Sequence, residues 1–138
     1  MSQIKYINKQ LFIEKYSATK LIKKNKTPFY LYSQKQLEEN YLSFVNNFKT
    51  INPLVCFSLK SNSNLSILKI LNKLGAGADV VSGGELLKAL KAGINPKKIV
   101  FSGVGKTAEE LKLAISKKIL LINVESESEA ILVNKISK

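Results

Sequence analysis

An α/β fold built on a parallel sheet is predicted by three observations on this chain of 138 residues. Short apolar runs at 54–58, 78–81, 99–102 and 120–124 carry Val, Ile and Phe in the manner of buried strands. A helical stripe follows each run, starting near Asn64, Gly84, Thr107 and Ser126. The unit recurs at about twenty residues, the rhythm of parallel strands joined by crossover helices. A partial (β/α)8 barrel, its first four strand-helix units, accounts for this better than a doubly wound sheet. The latter would join its first strand directly to a helix through a glycine-rich turn, whereas here the first strand runs into Lys60 and an Asn/Ser turn. The later glycines, Gly83-Gly84 and Gly103-Val-Gly105, do not have the G-x-G-x-x-G spacing either.

Taken in order, residues 9–24 place Leu11, Phe12, Tyr16, Leu21 and Ile22 on an imperfect helical stripe, so a leading helix is expected there. Thr27-Pro28 ends it, and Phe29-Tyr-Leu-Tyr32 reads as a short strand. Ser33 and Gln36 form a capping-box pair, opening a helix expected to bury Leu37, Tyr41, Phe44, Val45 and Phe48. Ile51-Asn-Pro53 breaks that helix. Thr107 with Glu110 and Ser126 with Glu129 are further capping boxes, and Gly75 and Gly93 stand where helix-terminating glycines belong. The expected division is therefore 1–32, a leading helix and strand, and 33–138, the amino-terminal part of a barrel.

Composition narrows the function classes. The net charge is +12, yet every one of the 22 basic residues is lysine, arginine is absent, and the lysines are spread along the chain. Arginine is the residue that reads phosphate and guanine with two parallel hydrogen bonds, so a nucleic-acid partner is not expected. Cys56 is the single cysteine and no histidine exists, which leaves no Cys/His catalytic pair and no metal-site spacing. No apolar stretch approaches the ~20 residues of a membrane span, and a cytoplasmic chain without a membrane partner is the expectation.

Lys60 ends the run Leu54-Val-Cys-Phe-Ser-Leu59 and precedes Ser61-Asn-Ser-Asn64. Barrel enzymes keep their chemistry at the carboxyl ends of strands, and burial there favours the neutral, nucleophilic form of an amine. A lysine after a strand is more commonly a solvated loop residue, so Lys60 by itself decides little. Asp79 is the only aspartate and begins the second strand, where a charge is costly unless paired, a solvated strand-start residue being the plainer alternative. Glu85 suits the start of the following helix through the helix dipole, and Ser82 and Ser102 are small polar strand ends on the same mouth.

Four segments, Phe57-Ser-Leu-Lys60-Ser-Asn-Ser-Asn64, Asp79-Val-Val-Ser-Gly-Gly-Glu85-Leu86, Ile99-Val-Phe-Ser-Gly-Val-Gly-Lys106 and Ile122-Asn-Val-Glu-Ser126, resemble in order and spacing the amino-terminal half of the diaminopimelate decarboxylase family. The resemblance runs from about Thr27-Pro28 to Lys138 and implies an alanine racemase-like barrel with pyridoxal 5'-phosphate (PLP) as cofactor. It implies that Lys60 carries PLP covalently, that Asp79 helps hold the cofactor site, and that the substrate is a small-molecule amino acid. A homodimer is implied for full-length members. The Asp79–Leu86 stretch favours the diaminopimelate branch over ornithine or arginine decarboxylases. A closed barrel takes roughly 200 residues or more, so these 138 residues are expected to be an amino-terminal portion, inactive alone. The family's ring-stacking histidine has no counterpart here, and its phosphate-binding loop, pyridine-nitrogen glutamate and carboxyl-terminal β domain are expected from later sequence. A non-catalytic remnant, a subunit-binding module, or half of a split decarboxylase are the alternatives.

Overall fold

The computed structural model describes residues 3–138, the side chain of Lys49 apart. The chain parts into two compact units, Met1–Asn47 and Phe48–Lys138. In the first, β1 (Ile4–Ile7), β2 (Gln10–Ile13) and β3 (Tyr16–Ser17) make an antiparallel sheet, followed by α1 (Ala18–Lys24) and α2 (Gln34–Asn46).

The expected helix over 9–24 is thus corrected: only its last seven residues are helical. Asn8 and Lys9 both adopt left-handed backbone, with φ of 48° and 62°, and close a two-residue turn that pairs Ile7 with Gln10. Two consecutive positive φ values are what a tight hairpin requires, and asparagine enters that region at little cost. Glu14, at φ 56°, turns the chain again into β3. Its carboxylate accepts from the Ser33 hydroxyl at 2.7 Å and the Lys35 N–H at 3.2 Å. These bonds, the Ser33 one foremost, hold the Glu14 carboxyl below the usual glutamate range.

The 29–32 segment, whose expected strand the resemblance would pair with a carboxyl-terminal β domain, is unpaired here. Phe29, Tyr30, Leu31 and Tyr32 carry no strand assignment and are all exposed, because a strand exists only against a partner and none is present among the described residues. Helix α2 begins where expected, with the Ser33 hydroxyl accepting from the Gln36 N–H at 3.0 Å. Only half the capping box forms, since Gln36 turns its own oxygen to the Gln3 N–H at 2.7 Å. That bond, with Gln3 to Glu39 at 2.9 Å, attaches α2 to the first compact unit, which runs to Asn47. The apolar stripe of α2 is not buried: Leu37, Tyr41 and Val45 are half-buried, and Phe44 and Phe48 exposed.

The second unit begins with a 3-10 turn, Lys49–Ile51, and runs β4 (Cys56–Ser58), α3 (Leu65–Lys73), β5 (Gly77–Val80), α4 (Gly83–Lys91), a 3-10 turn at Pro96–Lys98, β6 (Ile99–Phe101), α5 (Ala108–Ser116), β7 (Leu121–Ile122) and α6 (Glu127–Ser137). The four strands are parallel and stand in the order β4-β5-β6-β7. Strictly sequential order, with no reversal after the third strand, is that of a barrel segment rather than of a doubly wound sheet. Strand side chains alternate between faces. Ala78, Val80, Ile99 and Phe101 point to the helix side and are fully buried with Leu59, Leu68, Leu86, Ala89 and Ala114. Ser58, Asp79 and Val100, aligned in register, take the opposite face and are only partly covered.

Candidate active site

The parallel strands carry their carboxyl ends to one mouth, and the first of them delivers Lys60. Leu59 is 1% exposed and its N–H reaches the Asp79 carbonyl at 3.0 Å, so the chain remains attached to β5 one residue before Lys60. Ser61 then folds back, its hydroxyl donating to the Ser58 carbonyl at 2.7 Å. Asn62 accepts from the Asn64 N–H at 3.0 Å and Asn64 from the Ser66 N–H at 2.8 Å, which shapes the turn and caps α3. Lys60 is not buried here. Its side chain is exposed and its amine takes no hydrogen bond or ion pair among the described residues, because an open four-stranded sheet closes no ring around its strand ends.

Asp79 lies on the neighbouring strand, with Ser58 as its register partner on one side and Val100 on the other. The Ser102 hydroxyl donates to its carboxylate, so Ser102 orients Asp79. The Ser58 hydroxyl is buried and has no hydrogen-bond partner among the described residues. Cys56 is half-buried; burial pushes its thiol pKa up, and the Asp79 charge adds to this, which keeps it a protonated packing residue.

Ser82 and Glu85 are absorbed locally. The Ser82 hydroxyl accepts from the Glu85 N–H at 3.2 Å while the Glu85 carboxylate accepts from the Val81 N–H at 2.9 Å, so together they cap α4. Glu110 completes its predicted capping box with Thr107 and adds a contact the sequence did not disclose, accepting the Gly83 N–H at 2.7 Å. The N–H groups of Thr107 and Gly83 hold the Glu110 carboxyl below the usual range. Glu129 accepts the Glu125 N–H at 2.7 Å and pairs with Lys106 at 2.9 Å. Burial works to raise its pKa, but the Glu125 N–H and the Lys106 ammonium together outweigh it and leave it lowered. Three successive strand-to-helix loops are thereby laced together at the mouth: Gly83 to Glu110, and Lys106 to Glu129.

Residues 34–138 match the family described as pyridoxal-dependent decarboxylase, pyridoxal binding domain. The chain belongs to the pyridoxal-dependent decarboxylase family. Among curated decarboxylases, it is 55% identical over 104 residues to diaminopimelate decarboxylase of Helicobacter pylori strain J99, covering 75% of this chain and 26% of that protein. It is 43% identical over 134 residues to the Aquifex aeolicus diaminopimelate decarboxylase, covering 97% of this chain and 31% of that one. The crystal structure of the M. jannaschii diaminopimelate decarboxylase in complex with L-lysine superposes with a TM-score of 0.94 at 40% identity, covering 97% of this chain and 32% of the other. The chain thus spans about a third of the length of these decarboxylases, and its parallel sheet is a partial barrel of their fold. No helix among the described residues is long and apolar enough to cross a membrane, and no group of three or more His, Cys, Asp or Glu among them could hold a metal ion.

Proposed function

We propose that this chain is the cofactor-anchoring portion of a PLP-dependent diaminopimelate decarboxylase, which converts meso-diaminopimelate to L-lysine and carbon dioxide. The observation that carries the reading is identity of 43% to an enzyme of that name across 134 of the 138 residues, a stretch that includes both Lys60 and Asp79. The residues present fit the cofactor's anchoring end. Lys60 offers an amine free of competing partners, able to bond covalently to an aldehyde, and Ser58 leaves a buried hydroxyl unpartnered beside Asp79.

When bound, PLP supplies the electron sink for the charge left on the α-carbon as carbon dioxide leaves. Lys60 would hold the cofactor, and Asp79, oriented by Ser102, would place a carboxylate beside it on the adjacent strand. A small-molecule amino acid is the substrate. The same reading makes the full-length protein a homodimer and a cytoplasmic enzyme of lysine biosynthesis.

The test is to incubate the chain with excess PLP, reduce with borohydride and map the labelled peptides. Label is expected to favour Lys60 over the exposed Lys97, Lys117 and Lys118. The preference will be modest, because Lys60 is itself exposed and must be selected by its polar neighbours rather than by burial. Label spread evenly over these lysines, with none concentrated at Lys60, would overturn the assignment.

A further inference from the structure

Lys106 is the one charged side chain among the described residues that is buried, 7% exposed, and nothing in the site chemistry above uses it. Its ammonium donates to the Gly103 carbonyl at 2.6 Å, pairs with Glu129 at 2.9 Å and lies 5.9 Å from the centre of the Phe101 ring. Filling the same space with an apolar side chain would avoid the desolvation of two charges, so packing alone does not account for a lysine here. What an ammonium supplies and a methyl group does not is a fixed direction for the Gly103 carbonyl.

That carbonyl stands at a sensitive place. Gly103 is so close to the end of β5 that a Cβ on it would fall on the Val81 carbonyl oxygen. It also follows Ser102 directly, whose N–H bonds to the Val80 carbonyl at 2.9 Å and whose hydroxyl holds Asp79. Glu129, Lys106, Gly103 and Ser102 therefore form a continuous connection from the first turn of α6 to the Asp79 carboxylate.

We infer that Lys106 is a positioning residue: through the Gly103 carbonyl it sets the β6–α5 loop so that Ser102 holds Asp79 at the mouth, with Glu129 as its counter-charge. The inference rests on the decarboxylase reading for what Asp79 serves, but its geometry is testable without it. Lys106→Met and Glu129→Gln are compared with the unaltered chain by amide hydrogen exchange and by the borohydride map.

In Lys106→Met, exchange should rise about tenfold or more at Ser102 and Gly83, while Ala76 and Gly77, at the far ends of the strands, stay unchanged. The share of PLP label at Lys60 should fall toward that of the surface lysines. Glu129→Gln keeps the Gly103 bond and should show the same pattern more weakly. Exchange rising equally at all four amides, or at none, would mean Lys106 acts only as a general stabiliser and would overturn the inference. If Lys106→Met does not fold, Glu129→Gln decides by the same local-against-uniform criterion. Even labelling in the unaltered chain would sink the cofactor assignment while leaving the exchange pattern to judge Lys106.

Discussion

Glu110 serves two helix starts with one carboxylate, Oε2 taking the Thr107 N–H at 3.0 Å and Oε1 the Gly83 N–H at 2.7 Å. The first contact is local and was legible as a capping box. The second spans 27 residues and depends on how the β5–α4 and β6–α5 loops meet, which no spacing rule encodes. Because both bonds favour the ionised form, the folded-state pKa lies below the ordinary glutamate value of 4.5. Stability from this group is fully present above that value and is lost as pH falls through the folded-state pKa. Glu110→Gln should therefore unfold at lower urea than the unaltered chain at neutral pH. The gap should narrow on acidification below about pH 4.5, as urea midpoints measured across the range will show. A gap independent of pH would mean the carboxylate charge contributes nothing. Lys60 was legible as a candidate from its strand-end position and Asp79 as the single aspartate at the start of a strand, whereas the exposure of Lys60 and the bond from Ser102 to Asp79 were not.

Helices in the second unit are specified twice, by caps and by apolar faces. Asn64, Ser82, Thr107 and Ser126 each accept a hydrogen bond from a first-turn N–H, so these helices start within a residue of where the sequence places them. Helix α4 shows the division of faces: Leu86 is fully buried, and its neighbour Leu87 is 54% exposed. Leu86→Ala should cost about 2–5 kcal/mol and Leu87→Ala less than about 0.5 kcal/mol by denaturant unfolding. Equal losses would contradict the packing. Gly103→Ala belongs to the same scale. Its Cβ would strike the Val81 carbonyl oxygen, backbone that cannot swing aside, so a loss of about 1–3 kcal/mol is expected although the site is a loop. In the first unit local signals misled. An apolar set that reads as a helical stripe also fits two short strands, and the left-handed pair Asn8-Lys9 decided between them.

At the scale of the molecule, β4 and β7 are the edges of an open parallel sheet, and Leu120, Leu121 and Val124 beside the second edge are each about half exposed, at 48%, 50% and 48%. Unpaired strand edges flanked by apolar side chains favour association. The net charge of +12 opposes it, since like-charged copies repel over a Debye length of about 10 Å at 0.1 M salt. The chain should therefore self-associate with rising concentration, and more strongly as salt is added. Sedimentation velocity at two ionic strengths measures this, and a compact monomer at all concentrations in high salt would refute it.

The sequence by itself determined the strand-helix alternation, the caps, the helix-terminating glycines Gly75 and Gly93, and the presence of a lysine after the first strand of the parallel run and an aspartate in the second, because each depends on neighbours within a few residues. Tertiary structure alone decided the rest. It turned residues 4–17 into a sheet through a turn conformation, and left 29–32 without a strand partner. It also connected Ser102 to Asp79 and buried Lys106 against Glu129, partners 23 residues apart in each case. Such contacts form only once the parallel strands are in register, so their specificity resides in the packed sheet and not in any segment of the chain.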